Sequence, residues 1–406
     1  MVTLTRSGVD GHPGRHMRTR IALLALGATL VVSACSATVA QRPLLVPAPG
    51  SPIAVGSSPG SIALGDVNGD GKLDLVVAGK SGVTPLLGWG DGRFRAVTGG
   101  RIHVAVPPTE IVLTDLNGDT RLDLALANHD TYAVEVLLGD GKGDFAPAPG
   151  SPVVMRDGHQ PHTHGLNAGD LNGDGMVDLV SVNSNDNDVS VAFGDGKGGF
   201  THAPAPLAVG HSPYPGALAD LNGDGNLDII ATTTGRHSHA EESSSNALTI
   251  LFGDGRGGFR KSTIPLRTVL PWFVAVADVN GDRKADLVVT HAERNELSVL
   301  FGDAKGGFTE AASSPFDLGH YAWHQVVADL NGDGKADVVA AAGDGVRVML
   351  GDGRGGFRKA PGSPFATGKG AWQLVVGDMN GDGRPDVATS DLEAGTVSVL
   401  LGNHDD

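Results

Sequence analysis

The chain of 406 residues has one cysteine, so no disulfide can form within it. Lys and Arg number 30 against 46 Asp and Glu, and the formal charge of −16 argues against a nucleic-acid partner. Aromatic residues make up only 5 %, four of them Trp. No stretch shows sustained helical periodicity. Outside one N-terminal run, nothing resembles a transmembrane segment. There is no nucleophile elbow, no catalytic cysteine and no spare pair of carboxylates, which weighs against an enzyme. Glycine is plentiful, with 61 residues beside 23 prolines and 40 % hydrophobic content. That composition suits a turn-rich all-β protein with a real core.

The chain is organised around one loop, Asp66-Val67-Asn68-Gly69-Asp70-Gly71-Lys72-Leu73-Asp74, and six further copies of it. All seven read D-x-N-G-D-x-x-x-D, starting at Asp66, Asp115, Asp170, Asp220, Asp278, Asp329 and Asp378. A period of roughly 50 residues marks a repeat array such as a propeller. The chemistry of the loop is that of a hard cation, because calcium takes six to eight oxygen ligands. Asp66, Asn68, Asp70 and Asp74 offer side-chain oxygens, and Lys72 a carbonyl. The second copy offers Asp115, Asn117, Asp119 and Asp123, with Arg121; the third Asp170, Asn172, Asp174 and Asp178, with Met176. The fourth offers Asp220, Asn222, Asp224 and Asp228, with Asn226; the fifth Asp278, Asn280, Asp282 and Asp286, with Lys284. The sixth offers Asp329, Asn331, Asp333 and Asp337, with Lys335; the seventh Asp378, Asn380, Asp382 and Asp386, with Arg384. A tight turn held by Asx hydrogen bonds explains one Asp and one Gly, but not three spaced acids seven times over. An EF-hand would carry Glu at position twelve, where this chain has Val77, Leu126, Ser181, Ala231, Val289, Ala340 and Thr389.

Each unit has an alternating run into the loop, a short apolar run such as Asp74-Leu75-Val76-Val77-Ala78, then a third run ending in Gly-Asp-Gly-x-Gly-x-Phe. An extended Pro-rich stretch comes last. Four strands per unit make one propeller blade. The glycine stretches at Gly194, Gly253 and Gly351 superficially suggest a phosphate loop, but no helix follows. They read as hairpin turns.

The D-x-N-G-D-G-x-x-D loops, the Asp-Leu-Val-Val strands and the Leu-Phe-Gly-Asp-Gly-x-Gly-x-Phe turns resemble FG-GAP/VCBS repeats from about residue 44 onward. The resemblance implies a seven-bladed β-propeller with calcium in the loop between the first two strands of each blade. Two copies depart at position six, with Thr120 and Arg283 in place of Gly, so these two are expected to bind weakest. The N-terminal Leu44–Gly56 stretch matches the Pro-rich fourth strand of other units, and the chain stops after a third strand at Gly402. Pairing of the two ends is therefore expected to close the ring.

The start of each first strand should lie on the face opposite the loops. Six residues before each loop stand Gly60, Thr109, His164, Tyr214, Trp272, Trp323 and Trp372. Glu110, His324 and Gln373 follow one residue later, and His162 and His320 lie nearby. His164, Tyr214, Trp272, Trp323, His324 and Trp372 are candidate contacts for a sugar or other flat, partly polar ligand. The competing reading is that they plug the channel or pack between blades. His129, His159, His162, His164 and His291, with the Thr234–Glu242 insertion, make this face His-rich, but their irregular spacing favours a solvated loop over a transition-metal site.

At the N-terminus, Met17-Arg18-Thr19-Arg20 precedes an apolar run from Ile21 to Val32 and then Val32-Ser33-Ala34-Cys35. This reads as an export signal over residues 17–35, after a misassigned start at 1–16. The stretch resembles a bacterial lipobox, which implies lipidation at Cys35; cleavage after Ala37 or Ala40 is the plain-secretion alternative. Residues 36–43 are a tether and 44–406 the propeller. The leading expectation is an exported, cell-envelope recognition or adhesion module. It is non-catalytic and monomeric, binds a glycan or protein ligand, and touches a membrane only through its lipid. A propeller lyase or hydrolase acting on polysaccharide and a purely structural surface protein are the alternatives.

Overall fold

The computed structural model describes residues 42–404, apart from 98–101, 103, 105, 159–160, 215, 235–245, 269 and 292–293. The export signal, Cys35, most of the tether, His159 and nearly all of the insertion lie outside the described residues.

Every regular element among the described residues is a β-strand. The strands form seven antiparallel sheets, in which strands consecutive in the chain lie side by side except where the N-terminal strands join the seventh sheet. The first blade runs through Pro59–Gly65, Asp74–Gly79, Gly82–Gly88 and Phe94–Ala96. The first strands of neighbouring blades lie next to each other, including those at Pro59–Gly65 and Ala371–Gly377, so they line a closed central channel. This is the expected seven-bladed β-propeller.

The second strands, such as Asp74–Gly79 and Asp386–Asp391, are buried along their whole length. That burial follows from lying mid-blade with a neighbouring blade on each face, and it extends to polar residues such as Thr389, Ser390 and Asp391. The core is accordingly made between blades. Val76, Ala78 and Val83 of the first blade pack against Ile111, Leu124, Leu126 and Leu137 of the second. Partly buried Phe145, from a Gly-Asp-Gly-Lys-Gly-Asp-Phe turn, packs on the same cluster.

The ring closes as the matching end segments require. Leu45–Pro47 and Ile53–Ala54 pair with Thr396–Gly402, the third strand of the seventh blade. Between the two short strands the Pro-Gly-Ser-Pro stretch bulges away. The Ser51 hydroxyl then accepts the Val399 N–H at 2.8 Å and repairs the ladder. Ser151, Ser314 and Ser363 do the same for Val136, Val299 and Val348.

Candidate functional site

Each repeat loop is fastened to its blade by the Asp at position nine. Asp74, Asp123, Asp178, Asp228, Asp286, Asp337 and Asp386 are all fully buried. In the first blade Asp74 Oδ2 accepts the Val67 N–H at 3.0 Å, and Oδ1 accepts the Gly88 N–H at 2.8 Å. The same pair recurs in the last blade, from Met379 and Gly402 to Asp386 at 2.8 Å each. Gly88 ends the third strand, and a Cβ there would stand 2.1 Å from the Leu73 carbonyl oxygen, so only glycine brings its N–H close enough. The apolar residue at position two (Val67, Leu116, Leu171, Leu221, Val279, Leu330 or Met379) is buried and pins the loop from the other side. Burial raises the pKa of these aspartates, against the pull of their two backbone hydrogen bonds, and pushes Asp337 and Asp386 up to about 6.

The outer half of the loop faces solvent. Asp66 Oδ1 accepts the Gly69 N–H at 2.7 Å and Oδ2 the Gly71 N–H at 2.8 Å, so Asx hydrogen bonding is part of the loop. Carboxylate oxygens have lone pairs beyond these bonds and remain able to hold a cation. In the fifth loop, oxygens of Asp278, Asp282 and Asp286 lie within 4.8 Å of one another, a spacing one ion can bridge. Basic residues at position seven sit beside the position-five carboxylate: Lys284 Nζ is 3.0 Å from Asp282, and Lys335 Nζ is 3.1 Å from Asp333. The Arg121 side chain, hydrogen-bonded to Asp119, holds that carboxyl down to about 2. Loops three and four have Met176 and Asn226 there and lack this internal counter-charge.

Thr120 and Arg283 take φ of 69° and 64°, close to the 80° of Gly71. Their N–H groups bond the first Asp at 2.7 Å, as glycine does elsewhere. The backbone is thus shared, and the two non-glycine residues carry the strain of a left-handed conformation. Thr120→Gly and Arg283→Gly are each expected to stabilise by about 1 kcal/mol, read as a higher urea midpoint. Unchanged midpoints would mean no strain is stored there.

At the opposite end of the first strands the large side chains form an arc. His164 stacks on Tyr214 with ring centroids 4.5 Å apart, and Tyr214 meets Trp272 at 4.0 Å. Trp272 meets Trp323 edge-on at 5.4 Å, and Trp323 stacks on Trp372 at 4.3 Å. The arc is open where the ring has Gly60 and Thr109. There a cavity of about 650 Å³ is lined by Gly60, Thr109, Glu110, Asn128, His129 and Asp130, and bounded by His164 and Trp372. Tyr214 is buried inside the arc. His324 lies apart from the arc, tilted against Phe273 with ring centroids 4.5 Å apart and lining the channel below it. Its burial drives its pKa down to about 4, so it is a neutral imidazole.

Glu110 also reaches the channel, where the Gln373 Nε2 donates to it at 3.0 Å and the Ser61 hydroxyl donates to Gln373 Oε1 at 2.9 Å. Burial pushes Glu110 up to about 7, against the smaller pull of the Gln373 hydrogen bond. With its folded pKa above the unfolded one, Glu110 stabilises most below about pH 4.5, and this contribution fades as pH rises to about 7. Glu110→Gln should therefore match wild type at pH 4 and exceed it at pH 8 by up to about 3 kcal/mol. Parallel melting curves at the two pH values would refute the buried-acid assignment.

Sequence spacing did not show that three histidines converge. His129 lies between the second and third strands of blade two, and His162 and His164 lie at the start of blade three. Their ring centroids are 3.8 Å, 5.0 Å and 4.6 Å apart. The signal available was His-x-His at a strand start, since alternate residues share a face. His291 is elsewhere, buried against the Ser298 hydroxyl at 2.9 Å, and His320 packs on Tyr321.

Comparison with known families matches an FG-GAP-like repeat to residues 66–126, 115–181, 170–231, 278–340 and 329–389. No curated protein matches the chain. Among solved structures, an Agrocybe aegerita lectin described as specifically recognising non-reducing terminal N-acetylglucosamine aligns with a TM-score of 0.55 at 19 % identity. The match covers 83 % of this chain and 87 % of that one. BBS1N, solved in complex with ARL6DN, aligns with a TM-score of 0.61 at 12 % identity, over 90 % of this chain and 99 % of that one. At such identities the likeness speaks for the propeller fold alone. The family match spans well over half of the chain and falls on the loops that fasten the blades, so the chain belongs to the FG-GAP-like repeat family.

Proposed function

We propose that the protein is a calcium-loaded, non-catalytic recognition module that binds a glycan at the face opposite its repeat loops. The observation that carries the reading is the arc of ring side chains from His164 to Trp372, opening onto a cavity of about 650 Å³. Aromatic faces match the apolar faces of a sugar ring, and Glu110, Asn128 and Asp130 on the cavity wall match its hydroxyls. That one propeller of similar fold is described as recognising N-acetylglucosamine supports the reading. The test is a glycan array with calcium-loaded protein beside a polysaccharide-degradation assay. Thr109→Trp, which fills the cavity, should weaken binding roughly tenfold or more (about 1.4 kcal/mol) and leave the melting temperature unchanged. Degradation of a bound polysaccharide, or binding indifferent to Thr109→Trp, would overturn it.

The seven loops would hold the calcium through the Asp and Asn oxygens of positions one, three, five and nine. The ion would supply positive charge beyond the single basic residue that five of the loops carry at position seven. Solvent-exposed sites of this kind bind at ~10⁻⁴–10⁻³ M, as in extracellular modules. Export and acylation at Cys35 complete the proposal. Acyl chains contribute about 0.8 kcal/mol per buried CH₂, and stable anchoring takes more than one chain. Cys35→Ala is expected to move the protein out of the membrane fraction or leave uncleaved precursor. A soluble wild-type protein with its mature N-terminus beyond Cys35 would rule out the anchor.

A further inference from the structure

We propose that His129, His162 and His164 form a binding site for a zinc-class divalent ion at the mouth of the cavity. Each offers a ring nitrogen, and the three lie within 4.8 Å of one another. The backbone builds this convergence. Thr163, between His162 and His164, is buried. Its hydroxyl donates to the Thr131 carbonyl at 2.9 Å, and its N–H donates to the His129 carbonyl at 3.1 Å. Strand alternation then puts His162 and His164 on the face that His129 shares.

The surroundings orient the rings. His164 is stacked on Tyr214 at 4.5 Å. His129 Nδ1 lies 2.9 Å from Asp130 Oδ1, which leaves Nε2 as the nitrogen it can give to a metal. A carboxylate on the far nitrogen of a histidine ligand fixes the tautomer and raises its basicity. His162 Nε2 and His164 Nε2 are 2.9 Å apart. Tetrahedral zinc bound at 2.0–2.1 Å would set nitrogens about 3.3 Å apart, so a shift of a few tenths of an ångström suffices. Three imidazoles select zinc-class metals over calcium, which takes oxygen ligands, so the site is chemically separate from the repeat loops. His129 and His164 also line the cavity, so the fourth position of a bound ion opens there. The site stands whether or not the cavity takes a glycan.

The test uses the whole protein in excess calcium, which keeps the repeat loops occupied, and titrates zinc by calorimetry and cobalt by visible absorption. Wild type should take up one zinc per chain and give the d–d bands of four-coordinate cobalt. His162→Ala should abolish both. Asp130→Asn, at an exposed position, should weaken zinc binding by about tenfold or more without altering the melting temperature. No zinc uptake by wild type, or uptake unchanged in both variants, would overturn the proposal.

Discussion

Chelation of calcium is expected to lower the melting temperature by on the order of 10 °C, and calcium added back to restore it. A ligand that binds only the folded state stabilises it by mass action. At a tenfold excess over Kd each loop would contribute about 1.4 kcal/mol, and seven independent loops about 10 kcal/mol. Unfolding entropy of about 2.1 cal/mol/K per residue converts that into the stated shift. The seven loops hold nearly half of the 46 acidic residues, so removing the cations also leaves like charges crowded together. Five loops soften this with a basic residue at position seven, but those with Met176 and Asn226 cannot. Thermal scans that overlay with and without chelator would remove the calcium proposal and leave the loops as Asx-bonded turns.

The second large effect concerns the buried aspartates, and it does not depend on a metal. Asp386→Ala, measured in chelator, should destabilise by about 2–5 kcal/mol, because it strands two buried N–H groups, those of Met379 and Gly402. Asp386→Asn should recover part of the loss, since its single amide oxygen can accept from only one of the two. Asp382→Ala, on the exposed side of the same loop, should cost no more than about 0.5 kcal/mol. Equal losses at the two positions would show that Asp386 does not fasten the loop.

The fold was legible because the loop residues and the strand pattern repeat in one register. The closing strand was legible because Leu45-Val46-Pro47-Ala48-Pro49-Gly50-Ser51-Pro52 copies a segment that elsewhere follows the third strand. The aromatic ring positions were also placed by counting back from each loop. Three things were not legible. Position nine looks like one more cation ligand in a sequence; in the structure Asp74 also accepts two backbone N–H bonds, a fastening role that the sequence does not display. The histidine trio draws on two blades, so no single repeat contains its pattern. Likewise the cavity comes from what Gly60 and Thr109 leave unfilled, and a sequence marks bulk more readily than its absence.

The pairing of Leu45–Pro47 with Thr396–Gly402 has a consequence for biosynthesis. Among the described residues the earliest strand and the latest are partners, so the circle stays open until residue 402 has been made. The middle blades can assemble in order as they emerge, each gaining a packed face from the next. The seventh sheet, by contrast, waits for an end that was made first, and until the two meet its outer edge is unpaired. Closing so long a loop adds little entropy beyond that of a shorter one, since the cost grows only logarithmically with length. The delay is one of timing. A chain truncated before residue 396 would keep six blades and still lack a circle, with a naked edge at each end for another chain to claim.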